Sequence, residues 1–342
     1  MGVAIGDLLE REEISRSDLK GKIIAFDAYN VIYQFLTTVR GRDGRPLTDS
    51  NGNPTSHLSG LLYRTSAFAE DGIKSVFVFD GVPPELKAET LGKRRELRDA
   101  AHEKWAFAME RGDTAEILKY SQAAVKIDPQ AVEESKTLLS MLGIPVIEAP
   151  SEGEAQASYM ARKGDVDFVS SQDYDAFVFG ADIVIRNLTV SGKRKMPGKN
   201  IYTDVFPEKV DLNKNLTRMG LTKDRFIDLA LCVGTDFNKG IDRVGAKTAL
   251  KLIKEYGGYA GILKSKGLED QEPRYAAAKE FFKNPPVTDD YTLRWTKPDQ
   301  EKMIEFLCSK REFSEERVLS AWKKLNAAFD MKTKQPTLDQ WF

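Results

Sequence analysis

The sequence predicts an α/β protein: a parallel sheet with helices on both faces, a helical insertion, and a helix-hairpin-helix module. Three observations predict it. Short apolar runs suited to buried strands alternate with longer helix-forming stretches, the pattern of parallel strands joined by crossover helices. Three of those runs lead into an aspartate, at Asp27, Asp80 and Asp173. One insertion, residues 85–126, has no proline and is much longer than a usual crossover.

In chain order, residues 22–26 and 76–79 read as buried strands, the second broken by Gly81 and Pro83-Pro84. Residues 144–147, 166–171 and 183–185 supply further strands, and helices are expected near 56–70, 130–142 and 152–163. Residues 41–55 form a polar Gly/Asp/Asn/Pro loop expected to be mobile. The insertion reads as a helical hairpin, solvated from Arg98 onward. Its first part carries Lys87, Lys93, Arg94 and Arg95 close to Asp80, where cations beside an acidic site suggest phosphate contact. Residues 187–200 hold Lys193, Arg194, Lys195 and Lys199 in a basic loop or hairpin, the alternative being a solvated turn. A helix over 225–233 ends at Gly234, with Asp236 just beyond. Gly240 to Gly245 and a helix from Ala246 to about Tyr256 come next, a pattern whose backbone N–H groups bind phosphate without reading bases. Lys247, Lys251 and Lys254 recur on one helical face. An exposed lysine stripe alone is commonly solvated surface; beside that hairpin it favours a duplex backbone. Helices near 299–308 and 314–329 precede a flexible tail beginning at Met331, whose terminal aromatics suit a hydrophobic groove.

Chemistry is expected at the carboxyl ends of the strands. Ser170-Ser-Gln-Asp-Tyr-Asp supplies Asp173 and Asp175, and Pro150-Ser-Glu-Gly-Glu supplies Glu152 and Glu154. Four carboxylates converging on one place repel and raise each other's pKa, and a hard divalent cation such as Mg²⁺ removes that penalty. A capping box, Ser151-x-x-Glu154, is the competing reading of the first pair. It explains neither Glu152 nor the Asp-x-Asp.

Composition sets the outer bounds. The 342 residues, 41% hydrophobic and 30% charged, suit a soluble globular protein with one large core or about two units. With 51 Lys+Arg against 52 Asp+Glu the net charge is -1. That excludes a global polycation, though an acidic centre can mask basic surfaces. Cys232 and Cys308 read as core side chains rather than a disulfide framework. His57 and His102 are too few and too isolated for zinc. Asp7 interrupts the apolar run of residues 2–9, and Gly6 stands where a myristoylation signal wants Ser or Thr. Neither a membrane span nor a targeting segment is therefore expected.

Several motifs in order carry a resemblance: Phe26-Asp-Ala, Ser56-His-Leu-Ser-Gly-Leu-Leu-Tyr-Arg-Thr65, Val78-Phe-Asp-Gly with Pro83-Pro84-Glu-Leu-Lys87, both carboxylate pairs, Gly234-Thr-Asp-Phe237 and the terminal Gln335-Pro-Thr-Leu-Asp-Gln-Trp-Phe. Over essentially its whole length the chain resembles the flap endonucleases of archaea and eukaryotes. The short link between Asp80 and Glu152 resembles these rather than the larger excision-repair relatives. The resemblance implies a parallel-sheet nuclease core, a helical arch and a helix-two-turn-helix. Expected units are 1–84 and 129–222 for the nuclease regions, 85–128 for the arch, and 223–260 for the hairpin module. A helical part at 261–330 and a tail at 331–342 complete the chain.

The resemblance also implies two Mg²⁺ ions, replaceable by Mn²⁺, held by Asp27, Asp80, Glu152, Glu154, Asp173, Asp175 and Asp236. Lys87 and Arg94 match the basic pair at the base of the arch, and Arg64 matches a phosphate contact. Tyr33 matches an aromatic on which an unpaired nucleotide stacks, its alternative being a core tyrosine. Gly240, Arg243, Gly245, Lys247 and Lys251 fall in the duplex-gripping module with its K⁺ ion. Gln335, Leu338, Trp341 and Phe342 look like a sliding-clamp box, with Trp341 in place of the commoner Phe. The activity implied is that of a monomeric Mg²⁺-dependent 5′ flap endonuclease and 5′ exonuclease. It would act on branched DNA in lagging-strand maturation and long-patch base excision repair. The chain stops at the box, which favours an archaeal-type, cytoplasmic, nucleoid-associated protein; a eukaryotic one would be nuclear. Two alternatives remain: a non-catalytic clamp-tethered DNA scaffold, or a metal-dependent phosphatase, for which Asp-x-Asp-x-Thr is missing.

Overall fold

Strand alternation sets the core. In β2 (Ile23–Asp27) and β3 (Lys74–Phe79), Ile24, Phe26, Phe77 and Phe79 point to one side of the sheet, and Ala25, Val76 and Val78 to the other. Successive strand residues face opposite ways, so each side acquires its own apolar cluster, and both are covered by helices. A computed structural model describes residues 2–41, 46–190, 193–195 and 202–334.

The main sheet runs β1-β9-β6-β5-β2-β3-β4, with β1 Glu12–Glu13, β4 Val146–Glu148, β5 Phe168–Ser170, β6 Ile183–Arg186 and β9 Glu208–Asp211. Strands β6, β5, β2, β3 and β4 are parallel. The β9 and β1 edge is antiparallel, so the sheet is mixed rather than wholly parallel. Lys193–Lys195 (β7), in the expected basic stretch, pairs with Tyr202–Asp204 (β8) just beyond it as an antiparallel ribbon.

On one side lie α1 (Ala28–Thr38), α2 (Ser56–Glu70) and α5 (Pro129–Met141). Phe26 stacks between Phe68 of α2 and Phe77 at centroid distances of 5.4 and 5.1 Å. The insertion forms α3 (Ala88–Arg111) and α4 (Thr114–Ala123), an antiparallel pair turned at Gly112. On the other side are α6 (Gly153–Lys163), α7 (Asp175–Val178), α8 (Leu212–Met219), α9 (Lys223–Val233), α10 (Ala246–Tyr256), α11 (Tyr259–Ser265) and α12 (Glu272–Lys283). The short α13 (Gln300–Met303) leads through a π-helical stretch, Ile304–Ser309, to α14 (Glu315–Lys334), which returns to α2.

Three expectations are corrected. The tail beginning at Met331 starts as helix, because no breaker precedes Pro336 and α14 continues to Lys334. In the polar loop expected to be mobile, residues 46–55 are fastened. Asp49 is buried, accepts hydrogen bonds from Asn51 and Asn53, and pairs with Arg311 at 3.0 Å. The same Arg311 reaches Glu134, which faces the buried His57 at 3.5 Å. Finally, Ser151 does not cap α6: its hydroxyl has no hydrogen-bond partner, and Glu154 instead accepts from Ser171 Oγ at 2.5 Å.

Candidate active site

Parallel strands deliver their carboxyl ends to one edge, and the chain places an acid at four of those exits. Asp27 closes β2, Asp80 follows β3, Glu152 and Glu154 follow β4, and Asp173 and Asp175 follow β5. Asp236 enters from the loop after α9. Each acid serves local structure as well. Asp27 caps α1 by accepting the Asn30 N–H at 3.1 Å. Asp80 accepts the Gly153 N–H at 2.7 Å; a Cβ on Gly153 would lie 2.8 Å from that carboxylate, so a side chain there would displace it. Asp175 accepts the Val3 N–H at 2.7 Å. Asp173 lies 3.4 Å from the Asn30 amide, and its own backbone N–H donates to Ser171 Oγ at 3.1 Å.

Burial and mutual repulsion act together on these groups. Burial, then Asp80 and Asp173, push Asp27 up to about 8. Burial, with Asp236 and Asp173 adding to it, pushes Asp175 up to about 7 against the opposing Val3 hydrogen bond. Glu154 is held well above the ordinary carboxyl range by burial and by Asp175, Asp27 and Asp173. Asp80 and Glu152 are raised too, chiefly by burial, with Lys87 opposing in both. The influences of Asp173 and Asp236 on their neighbours join all seven acids in one electrostatic group.

Two cations from the insertion meet that group. Lys87 Nζ lies 2.5 Å from Glu152 and 3.7 Å from Asp236, and Arg94 lies 2.5 Å from Asp236. Burial alone would lower the Lys87 ammonium, but Glu152, Asp80 and Asp236 raise it above the usual lysine value. Thr90 Oγ1 donates to the Asp236 carbonyl at 2.8 Å, fixing the first turns of α3 against this loop.

Among the described residues, no three His, Cys, Asp or Glu side chains are grouped so as to hold a metal ion where they stand. The acids share one sheet edge, close enough to shift one another's pKa values. Lys87 and Arg94 occupy oxygens of Glu152 and Asp236, while backbone N–H groups occupy others. The donor set nonetheless fits divalent cations: it is entirely carboxylate oxygen, the choice of hard ions. The raised pKa values of Asp27, Asp80, Glu152, Glu154 and Asp175 mark a demand for positive charge that two side chains meet only in part.

The remaining expected residues lie around this edge. Tyr33 is 43% exposed on α1, outside the core. Arg64 is half-buried on α2, without a carboxylate partner among the described residues, and burial lowers its pKa. Gly240 packs so closely that a Cβ would sit 2.2 Å from the Val233 carbonyl oxygen. Arg243 takes a left-handed φ of 58° and projects fully into solvent, and Gly245 is the N-cap of α10. Lys247, Lys251 and Lys254 are exposed opposite the buried Ala246, Ala249 and Ile253. Gln335, Leu338, Trp341 and Phe342, like Lys199, lie outside the described residues.

Val3, Ser171, Gly153 and Thr90 touch the acids or their loop but were missed from sequence. The Ser-Ser before Asp173 was a usable signal for Ser171. No local signal points to Val3, which is 172 positions from Asp175.

Comparison with known proteins covers the same residues. The XPG N-terminal domain matches residues 4–101, which contain Asp27, Asp80, Lys87 and Arg94. The XPG I-region matches 143–236, which contain the other five acids. Flap endonuclease 1 of Methanosarcina barkeri is 53% identical over 342 residues, the whole of both chains. That of Pyrococcus furiosus is 49% identical, covering 100% of this chain and 99% of its own. The solved structure of flap endonuclease-1 from Methanococcus jannaschii superposes with a TM-score of 0.78 at 41% identity, covering 97% of this chain and all of that one. The catalytic core of Rad2 in complex with DNA substrate shares the fold at 23% identity and a TM-score of 0.67. With half of its residues identical end to end, and both family regions lying over the acidic edge, the chain belongs to the flap endonuclease family of XPG-type nucleases.

Proposed function

We propose that this chain is a Mg²⁺-dependent, structure-specific 5′ flap endonuclease and 5′ exonuclease that hydrolyses one phosphodiester near the junction of a branched duplex. Its work is the removal of 5′ flaps in lagging-strand maturation and long-patch base excision repair. The observation that carries this reading is the pairing of Lys87 and Arg94 with the acidic edge. Side chains that bridge an insertion to a carboxylate cluster are placed to receive a phosphate once cations hold the carboxylates.

Asp27, Asp80, Glu152, Glu154, Asp173, Asp175 and Asp236 would hold two Mg²⁺ ions, with Mn²⁺ as a substitute. Such a pair would supply an activated water and would stabilise the attacking and leaving oxygens. Lys87 and Arg94, freed from Glu152 and Asp236, neutralise charge on the scissile phosphate. Tyr33 offers an exposed face to an unpaired base, a contact worth roughly 1–3 kcal/mol. Arg64 contacts a phosphate. Gly240, Arg243 and Gly245 present the hairpin backbone, with a K⁺ ion, to the downstream duplex, and Lys247 and Lys251 add phosphate contacts along α10. These are backbone contacts, so junction shape and passage of the flap under α3 and α4 set specificity rather than base sequence. The terminal Gln335, Leu338, Trp341 and Phe342 would tether the enzyme to a sliding clamp. We take the working form to be a monomer in the nucleoid of an archaeal-type cell. No described helix is long and apolar enough to cross a membrane.

Sizing the products of an end-labelled double-flap duplex incubated with Mg²⁺ tests the reading. A single cut at the junction is expected, with much slower cutting of a blunt duplex. Binding without any cut would overturn it in favour of a scaffold. Cutting indifferent to the flap would remove the arch from specificity.

A further inference from the structure

Helix α12 touches two parts of the molecule that the proposed function assigns to different ends of the substrate. Arg274, in its first turn, reaches Glu89 of α3 at 2.6 Å. The adjacent Tyr275, fully buried, donates its hydroxyl to the Lys239 carbonyl at 2.9 Å, one residue before Gly240. Further along, Lys279 bonds Asp224 and the buried Asp228 of α9, each at 2.7 Å. Phe281 and Phe282 pack on Phe237, next to Asp236, at 4.7 and 5.1 Å. The helix is thereby fastened to α9 and to the hairpin, and its N-terminal end reaches out to the base of the arch.

The Glu89 end is equally well placed. Glu89 lies in the same turns of α3 as Thr90, which bonds the Asp236 carbonyl, and Arg94, which pairs with the Asp236 carboxylate. Its two oxygens are divided: Lys93 takes one at 2.6 Å within the helix, and Arg274 takes the other. The Lys93 pair is local and cannot orient α3 against anything else. Only the Arg274 arm runs to another element.

We infer that the Arg274–Glu89 pair is a brace that sets the first turns of α3, and so the placement of Lys87 and Arg94, from the hairpin module that grips the duplex. The inference rests on the proposed function, in which those two cations act on the scissile phosphate. Arg274 and Glu89 are positioning residues and touch no substrate. As a half-exposed ion pair the brace contributes little to stability. Its effect is on alignment, where small displacements of a reacting group cost rate.

The test is charge reversal with exchange. Arg274→Glu removes the arm and sets two carboxylates against each other, so single-turnover cleavage at saturating enzyme is expected to slow by about fivefold or more. The Kd for the flap duplex, measured in Ca²⁺, and the thermal midpoint should stay at wild-type values. The double exchange Glu89→Arg with Arg274→Glu should recover most of the rate, a rescue that a merely structural role in α12 would not show. A wild-type rate in Arg274→Glu, an exchange no faster than the single reversal, or a loss confined to Kd and thermal midpoint would overturn the brace. Arg94→Ala run alongside separates the two readings. If it too cleaves normally, the assignment of the arch base has failed and the brace with it. If Arg94→Ala is slow while Arg274→Glu is normal, the brace alone has failed.

Discussion

Asp175→Ala is expected to slow cleavage of a flap duplex by ~10³-fold or more while leaving DNA binding nearly intact. Asp175 is buried, raised to about 7, and coupled to Glu154, Asp173 and Asp236. Its removal takes one carboxylate from the proposed metal centre. The duplex contacts proposed for α10 and the hairpin are separate from it. The lost carboxylate relieves repulsion but also leaves the buried Val3 N–H without its acceptor, so the metal-free variant should unfold close to the wild-type temperature. Single-turnover rates, anisotropy in Ca²⁺ and a thermal scan make the check. A variant that cleaves within tenfold of wild type would remove Asp175 from the metal centre; one that fails to bind would make it a folding residue.

Lys87→Ala and Arg94→Ala are expected to lower the rate of the bond-breaking step by ~10²-fold each, with little change in the Kd for DNA. Both side chains lie on carboxylates here, Lys87 on Glu152 and Arg94 on Asp236. Substituting Lys87 leaves the buried Glu152 without its counter-charge, which disfavours its ionised form. One consequence distinguishes this role from simple phosphate attraction: Lys87→Ala should need more Mg²⁺ at low pH, and added Mg²⁺ should saturate the carboxylates without restoring the rate. If the rate returns fully at high Mg²⁺, Lys87 serves only to neutralise the acids.

The strand exits of the active site were legible because local rules write them. Apolar runs of strand length lead into Asp27, Asp80 and Asp173, and a parallel sheet sends all those ends to one edge. The helical hairpin of α3 and α4 was legible from its composition, and the lysine face of α10 from its period. What escaped depends on long-range contact. Val3 reaches Asp175, Thr90 holds the Asp236 carbonyl, and Arg311 pins Asp49; none of these pairings leaves a local pattern. The capping-box spacing at Ser151 was present in sequence but lost in the fold, because Ser171 on the neighbouring β5 loop claims Glu154 first. The antiparallel edge escaped because the described residues between β6 and β9 carry the β7–β8 ribbon rather than a crossover helix to set the direction of β9.

Calorimetric titration of the DNA-free protein with Mg²⁺, at pH 6 and again at pH 8, tests the central claim most directly. Burial and mutual repulsion hold Asp27 near 8 and Asp175 near 7 in the folded chain, above the ordinary carboxyl value near 4. Without cations, the stability these groups lend by staying protonated is therefore lost as pH rises from about 4 through 8. Cations that replace those protons must release them on binding. Two Mg²⁺ ions per chain are predicted, bound tighter at pH 8, with measurable proton release at pH 6. Saturation without proton release, equal affinity at both pH values, or no binding to the acidic edge would contradict the claim.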